Sequence, residues 1–471
     1  MQTGARRAAI SAGWWLLVVA AMVLVLSNFD FGFRVTADHL EQSWFAITHP
    51  WPEWVSKAWE HATFQGRIGH VLVYFLMFAG GYFGDLPGYG VLCVAIFLGI
   101  VAATLSWAQT LGGEKIALPL FGVFLALLPV GLYHWMPNAY APQFLPLALG
   151  LMAKAVWLVR PALPWPVKVL LGLCALVAAL SFETCFAMLA AMAVVELWFS
   201  RRYGTSAASG RLTAGYVRAQ WLILALALVA YVGFRLVYPS QYEGNALPTI
   251  DTLGWGVLTS FMHIITGPSL IWIIVRLVLK MEVDLWRMIG ALVVAAGLYL
   301  MVLRMVWPPR RLMWALVAAG VLIALFVVAP IGFSPKYTEW CSSGHDCTYL
   351  DSGFALIGWV LALPFVAALV VPDPGRARIV VAVLAALSGG IGYLANAAWR
   401  DYYGVVQATE IEAKRFVCAD PSGSADATPL ARQLVAAAVP FHPEMTPADR
   451  ESYWLDYIGH LRVHRWWLCP G

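Results

Sequence analysis

Residues 8–27 read AAISAGWWLLVVAAMVLVLS and directly follow the arginine pair Arg6-Arg7. A helix of about 20 apolar residues is long enough to cross a hydrocarbon layer roughly 30 Å thick. No small-residue cleavage site stands before Asn28, so the run is predicted to be a retained signal anchor rather than a removed signal peptide. Similar apolar runs recur along most of the chain, and together they decide the fold class.

The composition of the whole chain points the same way. Hydrophobic residues make up 61% of the 471 residues, charged residues make up 12%, and the mean hydropathy is +0.73. These values exclude a protein that is soluble as a whole, and the long apolar runs do not fit a β-barrel. We therefore predict an all-α polytopic membrane protein of about 11 transmembrane helices. The net charge of +4 is assigned to basic loops, and no nucleic-acid partner is predicted.

The predicted spans are assigned from length and hydropathy. They are residues 8–27, 89–109, 116–133, 140–159, 164–181, 184–200, 216–238, 288–306, 312–331, 353–371 and 377–397. With the N-terminus inside, the basic clusters fall on the cytoplasmic side, as the positive-inside rule requires. These basic residues are Lys115, Arg160, Lys168, Arg201, Arg202, Arg211, Arg218, Arg310, Arg311, Arg376 and Arg378.

Two apolar segments are left out of this count. Residues 68–84 and 254–279 are predicted to be interfacial or re-entrant helices on the outer face. If 68–84 crossed the membrane, the basic residues that follow it would move outside. One alternative stays open, in which 164–200 is a single long helix and 254–279 crosses instead. That alternative would expose the basic residues between 201 and 218.

The seven cysteines divide into two groups. Those in apolar spans are expected to be small buried residues: Cys93, Cys174 and Cys185. Those on the predicted external side suggest two disulfides, because that side is oxidising: Cys341, Cys347, Cys418 and Cys469. Three pairings are possible, and the short loop between Cys341 and Cys347 favours that pair, which leaves Cys418 with Cys469. A zinc site is the competing interpretation, but no CxxC spacing supports it.

The chain is predicted to comprise a membrane domain at residues 1–397, with its first outer loop at 29–88, and a small external cap at 398–471. The external cysteines and the absence of Asn-x-Ser/Thr acceptor sites are compatible with a bacterial inner membrane. The N-terminus would then be cytoplasmic and the C-terminus periplasmic.

The first outer loop is polar and rich in tryptophan, which favours a functional role over that of a connector. Asp38 stands about ten residues beyond the first span, where a carboxylate can act as a general base toward a hydroxyl. The alternative is a solvated loop carboxylate. His39, beside it, is a candidate substrate-binding residue.

Arg67 follows Gly66 immediately before an apolar segment. A guanidinium at a membrane surface can hold a phosphate through paired hydrogen bonds. The alternative is an interfacial arginine that reaches toward lipid headgroups. Lys336 is a second cation on the predicted outer face and a candidate for the same phosphate.

Two further segments carry candidate residues. The turn at residues 133–140 offers His134 and Asn138 to orient a substrate, while Tyr140 suits either substrate contact or the aromatic belt. Glu183 stands at an abrupt junction between two apolar runs, where an ionisable group is costly and usually functional. Its other possible role is to cap the helix that follows.

Taken in chain order, these motifs resemble the multi-spanning glycosyltransferases of the GT-C superfamily, and in particular the bacterial O-antigen glucosyltransferases. The resemblance covers roughly residues 10 to 200. It rests on Asp38 in the first outer loop, Gly66-Arg67, Asn138-Ala139-Tyr140 and Ser181-Phe182-Glu183. The chain departs from the family pattern in having one aspartate rather than a pair, and in having Phe182 where a histidine is common.

The resemblance implies GT-C-like interfacial helices and inverting transfer of a sugar from a polyprenyl-phosphate-linked donor. The acceptor would be a cell-envelope glycan or lipid at the outer face of the membrane. Asp38 is the first candidate for the base and Glu183 the second, while Arg67 and Lys336 would bind the donor phosphate. Membrane lipids are the other expected contacts, and no cofactor is predicted.

Two other interpretations of the function are left open, together with the question of a metal. A transporter or flippase for a lipid-linked sugar would need buried ionisable residues within its spans, and these are sparse in the sequence. A noncatalytic envelope-assembly scaffold would use the external cap. A divalent metal is neither predicted nor excluded, because His39, His345 and Asp346 show no ligand spacing that favours one.

Overall fold

The computed structural model describes most of the chain. The described residues are 2–27, 42, 45–46, 48–83, 89–112, 115–128, 141–203, 212–245, 250–266, 284–342, 350–437 and 446–469. Within these ranges the regular secondary structure is entirely helical, which confirms the predicted all-α class.

Eighteen α-helices are described, numbered here in chain order. They are α1 (Gln2–Ser27), α2 (Trp51–Gln65), α3 (His70–Phe83), α4 (Tyr89–Gly112), α5 (Ala117–Leu127), α6 (Leu145–Val159), α7 (Trp165–Ser181), α8 (Glu183–Tyr203), α9 (Ala214–Val237), α10 (Ile250–Thr266), α11 (Leu285–Leu303), α12 (Arg310–Gly332), α13 (Pro335–Ser342), α14 (Leu350–Val370), α15 (Pro374–Ala419), α16 (Thr428–Ala437), α17 (Pro447–Val463) and α18 (Arg465–Leu468). Short 3₁₀ turns occupy Ala141–Phe144 and Glu243–Asn245.

Eight helical stretches within the described residues are long and apolar enough to cross a membrane. They are Tyr89–Leu111, Pro142–Val159, Glu183–Arg202, Ala214–Val237, Leu285–Leu303, Arg310–Gly332, Ser352–Val370 and Pro374–Ala398. Each coincides with a predicted span, so the chain is a polytopic helical membrane protein. The other three predicted spans overlap α1, α5 and α7, whose described apolar stretches are shorter. The count of about 11 therefore stays a prediction.

The two segments predicted to be interfacial or re-entrant helices are only partly described. Residues 68–84 contain α3, a helix of 14 residues that packs against α2. At 1.5 Å per residue such a helix is about 21 Å long, shorter than a hydrocarbon core of roughly 30 Å. In the second segment, α10 ends at Thr266, and residues 267–279 lie outside the described ranges.

The chain reverses between α7 and α8. α7 ends at Ser181, Phe182 is extended with φ −154° and ψ 149°, and α8 begins at Glu183. The two helices then pack against each other. The alternative of one long helix over 164–200 is therefore wrong. The physical reason is the extended backbone of Phe182, which cannot continue a helix.

The membrane bundle has one extensive apolar core, with α8 packed against α7, α9 and α12. Within the described bundle, α12 and α14 approach each other closely. A Cβ atom added to Gly320 would lie 2.4 Å from the carbonyl oxygen of Gly358, and the reverse substitution meets the Gly320 oxygen at the same distance. Small residues at such crossings let helix backbones approach closely in a membrane.

The C-terminal region has its own small core. α15 is one continuous helix of 46 residues that extends past the predicted boundary at residue 398 and carries Cys418 near its end. Trp454, Ile458 and Leu434 pack around Val417 there. A disulfide joins Cys418 to Cys469, which confirms that predicted pair.

A contact between two aromatic rings connects the cap to the rest of the protein. The ring of His464 lies 5.2 Å from the ring of Tyr82 at the end of α3, measured between centroids. His460 lies one helical turn before His464, and their rings are 4.6 Å apart. The cap is thus packed against the helix that follows the Arg67 segment.

Candidate functional site

The end of α2 determines where Arg67 lies. Gly66 adopts the left-handed conformation with φ +65°. Its N–H donates to the Thr63 carbonyl at 3.2 Å, and the Arg67 N–H donates to the Ala62 carbonyl at 2.9 Å. This is the Schellman arrangement, in which a glycine ends the helix and turns the chain. The turn directs the chain from α2 into α3 and leaves Arg67 at the corner.

Arg67 makes an ion pair with Glu183, and 2.5 Å separates Nε from Oε1. Its Nη1 donates to Gln65 Oε1 at 2.9 Å, and its Nη2 donates to the side-chain oxygen of Asn245. The side chains are 14% and 23% exposed for Arg67 and Glu183 respectively, so both are largely shielded from water. Burial lowers the pKa of Arg67, but Glu183 and the neighbouring Tyr231 and Tyr337 more than offset this and raise it above its usual value.

Two residues of α9 close a ring of polar contacts. Tyr231 donates its hydroxyl to Glu183 Oε1 at 2.8 Å and accepts a hydrogen bond from Arg235 Nη1 at 2.9 Å. Arg235 Nη2 then donates to the Asn245 carbonyl at 3.1 Å. Because the Asn245 side chain also binds Arg67, five residues from four segments form one ring of contacts. The ring carries two cations and one anion.

A cavity of about 260 Å³ opens beside this ring. Its polar lining consists of Arg67, His70, Ser181, Glu183 and Tyr231, and Glu183 contacts both Arg67 and Tyr231. The remaining walls are apolar and come from α7, α8, α9 and Pro330 of α12. Its volume is close to the lower end of the roughly 300–1,000 Å³ of ligand pockets.

A groove of about 470 Å³ lies beside the cavity. Its lining is wholly apolar and comes from α2, α3, the turn between them and α7. Leu180 lines both the groove and the cavity. At Gly69 the α2–α3 turn approaches α7 so closely that an added Cβ would lie 1.7 Å from the Leu180 carbonyl oxygen. The cavity and the groove therefore adjoin at Leu180.

His70 lies in the cavity lining and is 2% exposed. Neither of its ring nitrogens has a hydrogen-bond partner among the described residues. The ring contacts Phe182, with 4.9 Å between centroids, and Tyr74, with 5.7 Å. Burial first, and then the charge of Arg67 and the neighbouring His61, lower the pKa of His70 well below its usual value. The imidazole is therefore neutral at pH 7.

Lys336, the other predicted phosphate ligand, lies beside the ring rather than in the cavity lining. Its ammonium donates to the Tyr242 hydroxyl at 3.0 Å. The same ammonium lies 5.0 Å from the centre of the Tyr242 aromatic ring. Ser334, two residues earlier, donates to the Gly244 carbonyl at 2.8 Å. These contacts join α13 to the turn that carries Asn245, and so to Arg67.

Several predicted site residues lie outside the described part of the chain. They are Asp38, His39, His134, Asn138, Tyr140 and Cys347, together with the side chain of Cys341. Their proposed roles, and the Cys341–Cys347 disulfide, stay predictions. His345 and Asp346, considered as metal ligands, also lie outside. Among the described residues, no group of three or more His, Cys, Asp or Glu side chains is placed to hold a metal.

Sequence reasoning brought Arg67 and Glu183 into the same site but missed their partners. Tyr231 and Arg235 are four residues apart in the last turns of an apolar span, and that spacing on one helix face was an available signal. Asn245 and His70 had no such signal. Asn245 lies in a loop far along the chain, and a histidine at the start of an apolar helix is usually part of the core.

A second polar cluster is buried within the bundle. Lys154 and Glu196 form an ion pair of 2.9 Å with side chains 1% and 0% exposed. Lys154 also donates to Gln220 at 3.0 Å, while Trp107 and Tyr216 donate to Glu196 at 2.7 and 3.0 Å. The sequence showed only that ionisable residues within the predicted spans are sparse. The structure instead brings five residues of four helices into one network.

The fold and these sites define a polytopic helical membrane protein with a shielded arginine–glutamate site next to an amphipathic cavity. Comparison of the chain with protein-family models, curated proteins and solved structures finds no match. The GT-C resemblance thus rests on the sequence motifs alone.

Proposed function

We propose that this protein is an inverting glycosyltransferase that uses a polyprenyl-phosphate-linked sugar as its donor. The acceptor is a cell-envelope glycan or lipid at the outer face of a bacterial inner membrane. The observation that carries the proposal is the Arg67–Glu183 pair beside a cavity whose other walls are apolar. This arrangement suits a ligand that joins a charged group to hydrocarbon.

The charges of the polar ring favour an anionic ligand. Arg67 and Arg235 contribute two positive charges, and Glu183 contributes one negative charge. The surplus cation is held rigidly by Tyr231 and Asn245. A phosphodiester carries one negative charge, which this surplus would balance. Preorganised cations of this kind also stabilise the charge that develops on a leaving phosphate.

The apolar groove supplies a place for the prenyl chain. Its lining from α2, α3 and α7 is wholly apolar, and it shares Leu180 with the cavity. A prenyl chain in the groove would bring its phosphate to the side where Arg67 lies. The lipid tail could stay in contact with the bilayer while the head group occupies the cavity.

The proposed reaction is a single displacement at the anomeric carbon of the sugar. The acceptor hydroxyl oxygen forms a new bond to that carbon, while the bond from the carbon to the phosphate oxygen breaks. The bonding electron pair leaves with the polyprenyl phosphate, and the acceptor proton passes to a carboxylate. Asp38 is the first candidate for this base, and Glu183 the second. The contacts of Glu183 Oε1 with Arg67 and Tyr231 suit a positioning role better.

Sugar transfer in membranes tests the proposal. Membranes that express wild type, Asp38→Asn and Glu183→Gln are compared for consumption of polyprenyl-phosphate sugars and for surface glycans. Loss of a general base typically slows a reaction by a factor of about 10²–10⁴, so the variant that lacks the base should accumulate donor. Glu60→Gln is the matched control, because Glu60 belongs to an exposed pair with Lys57 on α2. If wild type and all three variants leave the lipid pool and glycans unchanged, the proposal is wrong.

One observation favours a second candidate, a flippase for a lipid-linked sugar. The Lys154–Glu196 pair is fully buried within candidate spans, and ionisable groups there often mark a transport path. Every one of these groups has a partner, which fits a structural role equally. A flippase would move a fluorescent lipid-linked sugar across proteoliposomes without changing it chemically, and the enzyme would consume it.

A further inference from the structure

His70 is a polar side chain that the proposed reaction leaves without a role. It lines the same cavity as Arg67 and Glu183 and is 2% exposed. Neither ring nitrogen has a hydrogen-bond partner within the described part of the chain. Buried polar groups in native proteins nearly always have partners, and an unpaired one lowers stability. The exception calls for a partner that arrives with a ligand.

The second polar cluster differs from His70 because its buried polar groups are paired. Lys154 and Glu196 are also buried, yet each is bonded to at least two other side chains. This fold can therefore satisfy buried polar groups where no ligand is needed. His70 differs because its neighbours on the packed sides, Phe182 and Tyr74, meet it through their rings.

We propose that His70 contacts a sugar hydroxyl of the lipid-linked donor and so helps to select the glycosylated lipid over the bare prenyl phosphate. The inference rests on the proposed function, since it assigns His70 to the donor of that same site. It makes His70 a specificity residue for the sugar, while Arg67 and its ring serve the phosphate.

The chemistry of a neutral imidazole favours a hydroxyl. One ring nitrogen carries a proton and donates, and the other accepts. A hydroxyl group can accept from the first and donate to the second or to a neighbour, whereas a phosphate diester only accepts. Burial first, and then the charges of Arg67 and of His61, which stacks on Tyr74, lower the pKa of His70 and so keep the ring neutral. The aromatic ring of Phe182 beside it suits the apolar face of a sugar.

The test uses the full-length protein in detergent and measures thermal stabilisation by two kinds of probe. One probe is farnesyl phosphate, and the other is a panel of farnesyl phosphates that carry glucose, galactose, mannose or N-acetylglucosamine. Wild type should bind one sugar-bearing probe about tenfold or more tightly than farnesyl phosphate, which is the value of one good hydrogen-bond contact. In His70→Phe that preference should disappear while farnesyl phosphate binding remains.

His70→Gln is the second variant, because an amide both donates and accepts and should recover part of the preference. Retained farnesyl phosphate binding shows that each variant is folded. If His70→Phe keeps the full preference for the sugar-bearing probe, His70 is a core residue and the inference fails, while the proposed function stands. If wild type binds neither kind of probe, the proposed function fails and the inference falls with it.

Discussion

The Nε atom of Arg67, just after α2, lies 2.5 Å from Oε1 of Glu183, the first residue of α8. Two helix junctions meet there: the glycine turn at Gly66 and the extended Phe182 between α7 and α8. The pair therefore fixes the α2–α3 corner against the start of α8. Its removal should affect both stability and activity.

We expect Glu183→Gln to lower the free energy of unfolding by about 2 kcal/mol, because it weakens charge-assisted hydrogen bonds in a shielded site. Arg67→Gln should cost a similar amount. The double variant should cost less than the sum, with a coupling energy of about 1–3 kcal/mol. Denaturant unfolding in mixed micelles measures all three, and strictly additive effects would contradict the contact.

Gly66→Ala should lower stability by more than Gly423→Ala. Both glycines have positive φ, at +65° and +66°, which costs an L-residue about 1–2 kcal/mol. At Gly423 nothing lies within 4 Å of an added Cβ, whereas at Gly66 the Cβ would lie 2.8 Å from the Tyr238 carbonyl oxygen. Gly423→Ala thus isolates the backbone strain. Equal melting temperatures for the two variants would contradict the close approach of the Tyr238 carbonyl to Gly66.

Lys154→Met should destabilise the bundle strongly, by about 3–5 kcal/mol, because it leaves the Glu196 carboxylate buried without its cation. Lys154→Met combined with Glu196→Leu should recover much of the loss, since an apolar pair needs no desolvation. Thermal unfolding of the detergent-solubilised variants checks this. A different outcome would favour the flippase. In that case the wild type moves a lipid-linked sugar across the membrane of proteoliposomes, whereas Lys154→Met is stable but does not.

Stability should decrease as the pH is lowered, and part of this decrease should depend on His70. Its pKa in the folded protein is well below the usual value of about 6.5, mainly because it is buried. As the pH falls below about 6.5 the unfolded chain takes up a proton that the folded site resists, so folding loses stability down to the lowered pKa. The melting temperature of wild type should drop more between pH 7.5 and 5.5 than that of His70→Phe. An identical drop would mean that His70 is not held neutral.

The sequence alone was enough to place most of the fold. The apolar runs are long and are punctuated by basic loops, and all eight described candidate spans coincide with predicted ones. Hydropathy succeeds because a helix in a bilayer must satisfy its own backbone and present apolar side chains to lipid. The Cys418–Cys469 disulfide was also among the expected pairings.

The site was only partly predictable. Arg67 and Glu183 stood out because charge is rare in this chain and each lies at the edge of an apolar run. Their joining by Tyr231, Arg235 and Asn245 depends on how α2, α8 and α9 pack, which no local pattern encodes. The same holds for Lys154 and Glu196, which lie 42 residues apart in the sequence and are paired in the structure.

Sequence by itself thus determined that this chain is a helical membrane protein, where most of its spans lie and which charged residues are unusual. Only the tertiary structure decided that Arg67 faces Glu183, that Phe182 breaks the helix, and that His70 is buried beside a cavity. The physical reason is the distance along the chain over which each interaction acts. Transfer of apolar residues into lipid depends on composition over about 20 residues, whereas a polar site depends on side chains brought together across the bundle.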